Sequence, residues 1–297
     1  MDDARFAREL WWRLEPLHAV TYFAPESLEA AGDVGVNGFW RTYFAFRAAP
    51  LGRCSAATAT AAFFGFAPSM VARAIPSVWE LASPSALLAA RAAGAAAALR
   101  RLAPDDLPLL LDDSWTIGAL AETVNRGKAG TLALYLGNRE VPPPDDPVAA
   151  LWQLATTLRE HRGDGHVVSW TARGFAPIDV AVLFVAAGGT SRHALQPHRG
   201  WTDDEWADAV EGNRRRGLLG GDTAVTAAGR EVVDEVERNT DRLAAAVFTP
   251  LDDAARRRLL DALTPVAAAV ARSGIIPAVN PMGVPLLGDG QGEPPAR

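Results

Sequence analysis

Residues 178–245 constrain the fold most strongly, because their apolar periodicity and glycine turns follow one definite order. A first apolar helix ends at two glycines, 188–189, and a second helix begins after Thr202, whose hydroxyl suits an N-cap followed by acidic residues. The glycines at 220–221 predict a hairpin turn that leads into a short strand. A long amphipathic helix comes next. The order predicts two helices, a small β-hairpin and a closing helix.

Two resemblances to known families follow from these residues and from three other motifs. The run RRRGLLGGDTAVTAAGREVVDEVERNTDRL, within residues 178–245, resembles the wing and following helix of MarR-type winged-helix domains. The whole chain resembles an actinobacterial family of winged-helix-like, helix-turn-helix proteins through EPLHAVTYFAPE at 15–26, FRAAPLG at 46–52 and LREHRGDGH at 158–166. Both resemblances imply an architecture and no activity. The expected fold class is all-α with a small β-wing, a helical N-terminal region plus a winged-helix domain.

Composition shifts suggest where this fold divides. The run of prolines and aspartates at 142–147 has the character of a linker. We therefore expect an N-terminal helical region at 1–140 and a second unit at 147–275. The second unit would hold a helix-turn segment, the winged helix and a C-terminal helix. Glycine and proline make 279–297 an extended or disordered tail.

The segment 159–166 concentrates charge beside an apolar helix. Six of its eight residues are ionisable, and it directly follows the amphipathic run 151–158. The glycines at 163 and 165 predict that the helix ends there in a charged turn. Such a cluster is a solvent-exposed charged surface, a structural ion-pair network or a functional site. Charged residues with perturbed pKa values occur both in functional sites and in structural networks.

If the segment is a functional site, its residue types indicate which ligands it could bind. The guanidinium forks of Arg159 and Arg162 match planar oxyanions, and nearby acids could instead pair with them internally. Imidazole and carboxylate groups at 161, 164 and 166 have metal-ligand chemistry. The arginines compete for those carboxylates, so we expect no metal. The candidate ligand-binding residues in this segment are Arg159, Glu160, His161, Arg162, Asp164 and His166.

A histidine in an aromatic segment, such as His18, is by default a buried core residue with satisfied hydrogen bonds. In the alternative interpretation, the N-terminal region supplies the opposite wall of the expected cleft. His18 and Tyr22 follow a helix that should end near Pro16 or His18. Arg41 and Arg47 lie among aromatic residues, and buried arginines need partners. The acids at 160 and 164 are the best candidates. The tetrapeptide Gly-Phe-Ala-Pro occurs at 65–68 and again at 174–177, which also suggests two paired halves around a shared cleft.

The leading function is therefore small-molecule binding, and whether the protein is an enzyme stays open. A ligand-responsive, MarR-like DNA-binding transcription regulator is the alternative, and a structural partner-binding protein is a third possibility. The helix after Thr202 would enter the DNA groove, yet its first turns carry five acids that phosphate repels. The basic side chains lie at its far end: Arg214, Arg215 and Arg216.

Composition bounds the remaining choices. The net charge of −6 disfavours a nucleic-acid partner, and the single cysteine, Cys54, permits no disulfide within the chain. The apolar run 86–99 is too short for a membrane span and contains Arg91. The acidic N-terminus does not resemble a signal peptide. We expect a cytoplasmic protein with a small-molecule ligand and no membrane partner, and a homodimer is an open alternative. The sequence does not identify a cofactor.

Overall fold

Helices form all the regular structure that the computed structural model describes. It describes residues 1–128, 130, 132–277, 280 and 282. The first nine helices are α1 (Asp3–Phe23), α2 (Pro25–Asp33), α3 (Phe39–Ala48), α4 (Ala56–Phe63), α5 (Pro68–Val71), α6 (Pro84–Leu102), α7 (Asp106–Asp112), α8 (Ser114–Val124) and α9 (Ala133–Arg139). The others are α10 (Pro147–Thr171), α11 (Pro177–Ala186), α12 (Arg192–Arg199), α13 (Asp203–Arg215), α14 (Ala227–Ala245) and α15 (Asp253–Arg272), with short 3-10 helices at Ala49–Leu51, Ser77–Glu80 and Ala246–Phe248.

The expected β-wing is wrong. No residue of the described ranges lies in a β-strand, and the loop between α13 and α14 contains a single antiparallel bridge, Leu219 to Val225. The hairpin turn itself is present, with the Gly220 amide donating to the Ala224 carbonyl at 2.8 Å. Only a few residues separate this turn from α13 and α14. The loop is therefore too short to extend the bridge into a ladder of paired strands.

The longest helix, α10, is the central element of the fold. Its residues Leu151, Trp152 and Ala155 are almost completely buried and belong to an apolar core shared with α1, α6, α8, α14 and α15. A second apolar core is built from α2 to α6 and α9. A third lies between the C-terminal end of α10, α11 to α14 and their loops. The proposed boundary between 1–140 and 147–275 stays a prediction.

The helix α1 is longer than the sequence suggests. It continues through Pro16 to Phe23, whereas we expected an end near Pro16 or His18. As a result Glu15, His18 and Tyr22 stand on one helix at spacings of three and four residues, which places their side chains on the same face. This continuous helix brings Glu15 to the candidate site.

The predicted charged turn at 159–166 is also wrong, because α10 runs through both glycines to Thr171. Tertiary contacts override the low helix propensity of glycine here. A Cβ atom on Gly165 would lie only 3.4 Å from the Cβ of Leu243, so its absence lets α14 pack close against α10. The charged residues therefore lie inside a helix that crosses the protein.

A helix-turn-helix unit follows α11. A three-residue turn, 200–202, joins α12 to α13, and Gly200 adopts the left-handed conformation that such a turn requires. Thr202 caps α13 as expected, in a capping box with Glu205. The turn packs on the N-terminal half, since the Ala67 amide donates to the Arg199 carbonyl at 2.8 Å.

The repeated tetrapeptide has only a local structural equivalent. In both copies its proline opens a helix, α5 or α11. The upstream segments differ, because a 3-10 helix and α4 precede the first copy and the uninterrupted α10 precedes the second. Of the tail predicted at 279–297, only residues 280 and 282 fall within the described ranges. None of the described helices is both long and apolar enough to cross a membrane.

Candidate functional site

The charged stretch of α10 faces two different neighbours. Helical spacing places Arg159 and Glu160 toward α1 and α3, whereas Arg162 and His166, four residues apart, face α14. The candidate residues therefore do not form one constellation. They divide between two clusters and three positions outside them.

The first group, here called the arginine–carboxylate cluster, comprises Glu15, Arg47, Arg159 and Glu160. The Arg159 Nε atom donates to Glu15 Oε2 at 3.2 Å, and its terminal nitrogen donates to Glu160 Oε2 at 2.9 Å. Arg47 Nε lies 3.5 Å from Glu160 Oε1. The side chain of Glu15 is 1% exposed and that of Glu160 is 2% exposed. The predicted pairing of Arg47 with an acid of the 159–166 segment is thus present.

Electrostatics keep this cluster ionised. Burial opposes the charge of Glu160, but the adjacent Arg159 and Arg47 outweigh it and lower the pKa of Glu160 to about 2. Burial likewise opposes the charge of Arg159, yet Glu15 and Glu160 hold its pKa well above the ordinary value. Protonation of the carboxylate and deprotonation of the guanidinium are therefore both unfavourable, and each buried charge depends on its ion-pair partners.

His18 and Tyr22 extend the cluster along α1. His18 Nδ1 lies 3.0 Å from Thr156 Oγ1, and its Nε2 lies 3.0 Å from the Tyr22 hydroxyl. Burial, with the positive charge of Arg159, lowers the pKa of His18 well below its ordinary value. The imidazole is therefore neutral, with one ring nitrogen a donor and the other an acceptor. Burial also raises the pKa of Tyr22.

Arg91 of α6 belongs to this site and was missed in the sequence. Its terminal nitrogens donate to the Phe46 carbonyl at 3.0 Å, to Asn138 Oδ1 at 2.9 Å and to Gln153 Oε1 at 3.0 Å. The side chain is buried, and burial lowers its pKa to about 10. The signal was its isolation: it is the only charged residue in the apolar run 86–99.

A small cavity lies between Arg91 and the cluster. Its volume is about 10 Å³, close to the minimum that holds one water molecule. Two buried polar atoms of its lining residues, Arg91 Nε and Thr21 Oγ1, have no hydrogen-bond partner among the described residues. Tyr22 and Arg47 are the only lining residues that keep partial exposure. The full lining is His18, Thr21, Tyr22, Phe46, Arg47, Arg91, Asn138, Trp152, Thr156 and Glu160.

The second group joins α10 to α14 and α1. Arg162 donates to Asp241 at 2.9 Å and to Glu237 at 3.2 Å, and Arg8 reaches the same two acids. His166 Nδ1 lies 3.2 Å from Thr240 Oγ1. Burial lowers the pKa of this histidine, although Glu237 acts in the opposite direction. Two arginines meet two carboxylates, so the charges balance in a structural network.

Three further candidates lie apart from both groups. Asp164 accepts the Tyr135 amide at 2.9 Å at the start of α9, and burial together with Glu160 raises its pKa to about 7. His161 packs against Tyr135 with ring centroids 4.8 Å apart, and burial lowers its pKa to about 4. Arg41 is exposed, so it does not line the cleft as expected. Among the described residues no group of histidines, cysteines and acids has metal-binding geometry.

The arginines considered for DNA contact are largely engaged within the protein. Arg214 donates to the Gly220 and Gly221 carbonyls, and Arg216 stacks on Phe175 with its guanidinium carbon 3.6 Å from the ring centroid. Arg215 is exposed and lies 3.7 Å from Glu211. The exposed acids of α13 are Asp203, Asp204, Glu205, Asp208 and Glu211.

Replacing Arg47 tests the dependence of the fold on the cluster. Arg47→Ala leaves Glu160 buried with one partner fewer, and loss of a buried partner costs about 3–5 kcal/mol. Arg100→Ala is the matched control, because Arg100 pairs with Asp146 at 2.7 Å in an exposed position and should contribute less than about 1 kcal/mol. Chemical denaturation measures both free energies of unfolding. Equal, negligible changes would contradict the buried pairing of Arg47.

Asp164 gives a pH-dependent prediction. Because its folded pKa of about 7 exceeds the ordinary value of 3.8, the folded state holds the proton more tightly. The free energy of unfolding therefore falls as the pH rises from about 4 to about 7, because the unfolded state loses the Asp164 proton first. Asp164→Asn keeps an oxygen acceptor for Tyr135 and removes this loss. Relative to the wild type, the variant should gain stability between pH 5 and pH 8, measured by urea denaturation at each pH. A relative stability of the variant that stays constant or falls as the pH rises would contradict the raised pKa.

Comparison with known proteins places the chain in a family. A family model described as a helix-turn-helix family matches residues 7–277, nearly the whole length of the chain. The match supports the helix-turn-helix part of the expected resemblance, without the narrower MarR-type and actinobacterial assignments. No curated protein matches the chain. No solved structure matches it either. Given this coverage and the α12–α13 unit, the protein belongs to the helix-turn-helix family.

Proposed function

We propose that this helix-turn-helix protein binds a small molecule in the cavity beside the arginine–carboxylate cluster. The observation that carries the proposal is that two residues of the cavity lining, Arg91 and Thr21, each carry a buried polar atom, Nε and Oγ1, without a hydrogen-bond partner among the described residues. A buried polar atom without a partner costs roughly 1–3 kcal/mol. A ligand that hydrogen-bonds to both atoms would remove this cost.

The dimensions of the cavity limit what enters. Its volume of about 10 Å³ accommodates one polar group. The rest of a larger ligand would pass between Tyr22 and Arg47, the partly exposed lining residues. Tyr22 also packs against Tyr43 with ring centroids 4.7 Å apart. Rotation of these side chains is the adjustment that a ligand requires.

DNA binding is the second candidate, and the family match is the observation that favours it. The surface of α13 opposes it, since the exposed acids of this helix would face phosphate. The preceding turn is also covered by the N-terminal half, where a Cβ on Gly200 would lie only 2.6 Å from Met70. The acidic surface makes the helix-turn-helix unit better suited to packing than to reading a DNA groove.

A panel of small acids, amines and neutral compounds tests ligand binding. At least one compound should raise the thermal midpoint of the wild type, because a ligand that binds only the folded state stabilises it by mass action. Thr21→Ile places extra carbon atoms in the cavity and should abolish that rise. A panel in which no compound distinguishes the wild type from Thr21→Ile would refute the proposal.

For the DNA alternative we expect no specific operator. Selection of genomic fragments on the purified protein should enrich no defined sequence, and any residual binding should be weak and independent of sequence. Recovery of one enriched site, bound with the steep salt dependence and specificity of an operator, would establish the regulator instead.

A further inference from the structure

The charge around the cavity is unbalanced. Three arginines, Arg47, Arg91 and Arg159, stand against two carboxylates, Glu15 and Glu160. Both carboxylates are already engaged by Arg159, and Glu160 is also paired with Arg47. The surplus positive charge is therefore that of Arg91, whose acceptors among the described residues are all neutral oxygens.

Neighbouring groups do not remove the surplus. Arg199 approaches the cluster from α12 and stacks on Phe66 with its guanidinium carbon 4.3 Å from the ring centroid, which adds positive charge. Asp164, four residues from Glu160 on α10, accepts the Tyr135 amide, and burial together with Glu160 raises its pKa to about 7, so it carries only part of a negative charge at neutral pH. His18 is neutral for the reasons given above. A guanidinium keeps its proton at neutral pH even when buried, so the imbalance persists in the free protein.

We propose that the ligand position is an anion site, which takes the carboxylate of a small organic acid or a halide ion between Arg91 Nε and Thr21 Oγ1. This inference rests on the proposed small-molecule function and specifies its chemistry. Both unpartnered groups can donate a hydrogen bond, one from a charged nitrogen and one from a hydroxyl. Arg47 adds a second positive group at the cavity wall. Glu160 also lines the cavity, but its two arginine partners compensate its charge.

Isosteric pairs separate charge from shape. Formate and formamide, and acetate and acetamide, have nearly the same volume and differ in charge, and sodium chloride supplies the halide arm. The wild type should show a rise of roughly 5 °C in thermal midpoint at about a hundredfold excess of the anion over its Kd. The amides should give no comparable rise. A rise with the carboxylates identifies an organic acid as the source, and a rise with chloride alone identifies the halide.

Two threonine variants give a matched control. Thr21 and Thr42 are both buried, each with an unpartnered hydroxyl, but only Thr21 lines the cavity. Thr21→Val should leave the midpoint of the free protein unchanged or slightly higher and weaken the anion at least about tenfold. Thr42→Val should leave anion binding unchanged. General salt effects act equally on both variants and so cancel in the comparison.

The outcomes separate this inference from the function on which it rests. Equal stabilisation by an amide and its carboxylate, lost in Thr21→Val, would overturn the anion site and leave small-molecule binding intact. Equal weakening in Thr21→Val and Thr42→Val would overturn the assigned position. No stabilisation by the anions or by any compound of the larger panel would overturn both.

Discussion

The whole arrangement depends on charges buried in the middle of α10. A helix that crosses the core with Arg159, Glu160 and Arg162 on it needs a partner for each charge, because an isolated buried ion costs several kcal/mol. The partners come from α1, α3 and α14, which lie far apart in the sequence. The buried charges of α10 are therefore paired only when these helices are docked correctly.

The two faces of α10 satisfy this requirement to different degrees. Toward α14, Arg8 and Arg162 meet Glu237 and Asp241, and the charges cancel. Toward α1, α3 and α6 the additional guanidinium of Arg91 has only neutral acceptors. A balanced network is explained by stability alone. At the unbalanced network, the proposed ligand would supply the missing negative charge.

The sequence predicted which residues form ion pairs and caps better than it predicted where the helices begin, end and pack. The density of charge at 159–166 indicated ion pairing, and the embedded Arg47 indicated a need for an acid. Thr202 followed by acids located the start of α13. These signals are local, and capping and charge compensation act over short distances.

Two of the expectations that failed, and one residue that was overlooked, show where local sequence patterns are insufficient. The glycines at 163 and 165 suggested a turn, but both lie inside α10, where Gly165 allows the close approach of Leu243 on α14. The wing was inferred by resemblance, and the loop is too short to form strands. Arg91 was overlooked because its importance comes from neighbours on α3, α9 and α10, which no local pattern reveals.

The central claim is that the surplus guanidinium of Arg91 is compensated by a bound anion. Diffraction at the bromine absorption edge, from crystals grown with bromide, locates such an ion directly. The account predicts an anomalous peak within hydrogen-bonding distance of Arg91 Nε and Thr21 Oγ1. Peaks restricted to exposed arginines, together with no carboxylate bound at Arg91 Nε and Thr21 Oγ1 in crystals grown with formate, would contradict it.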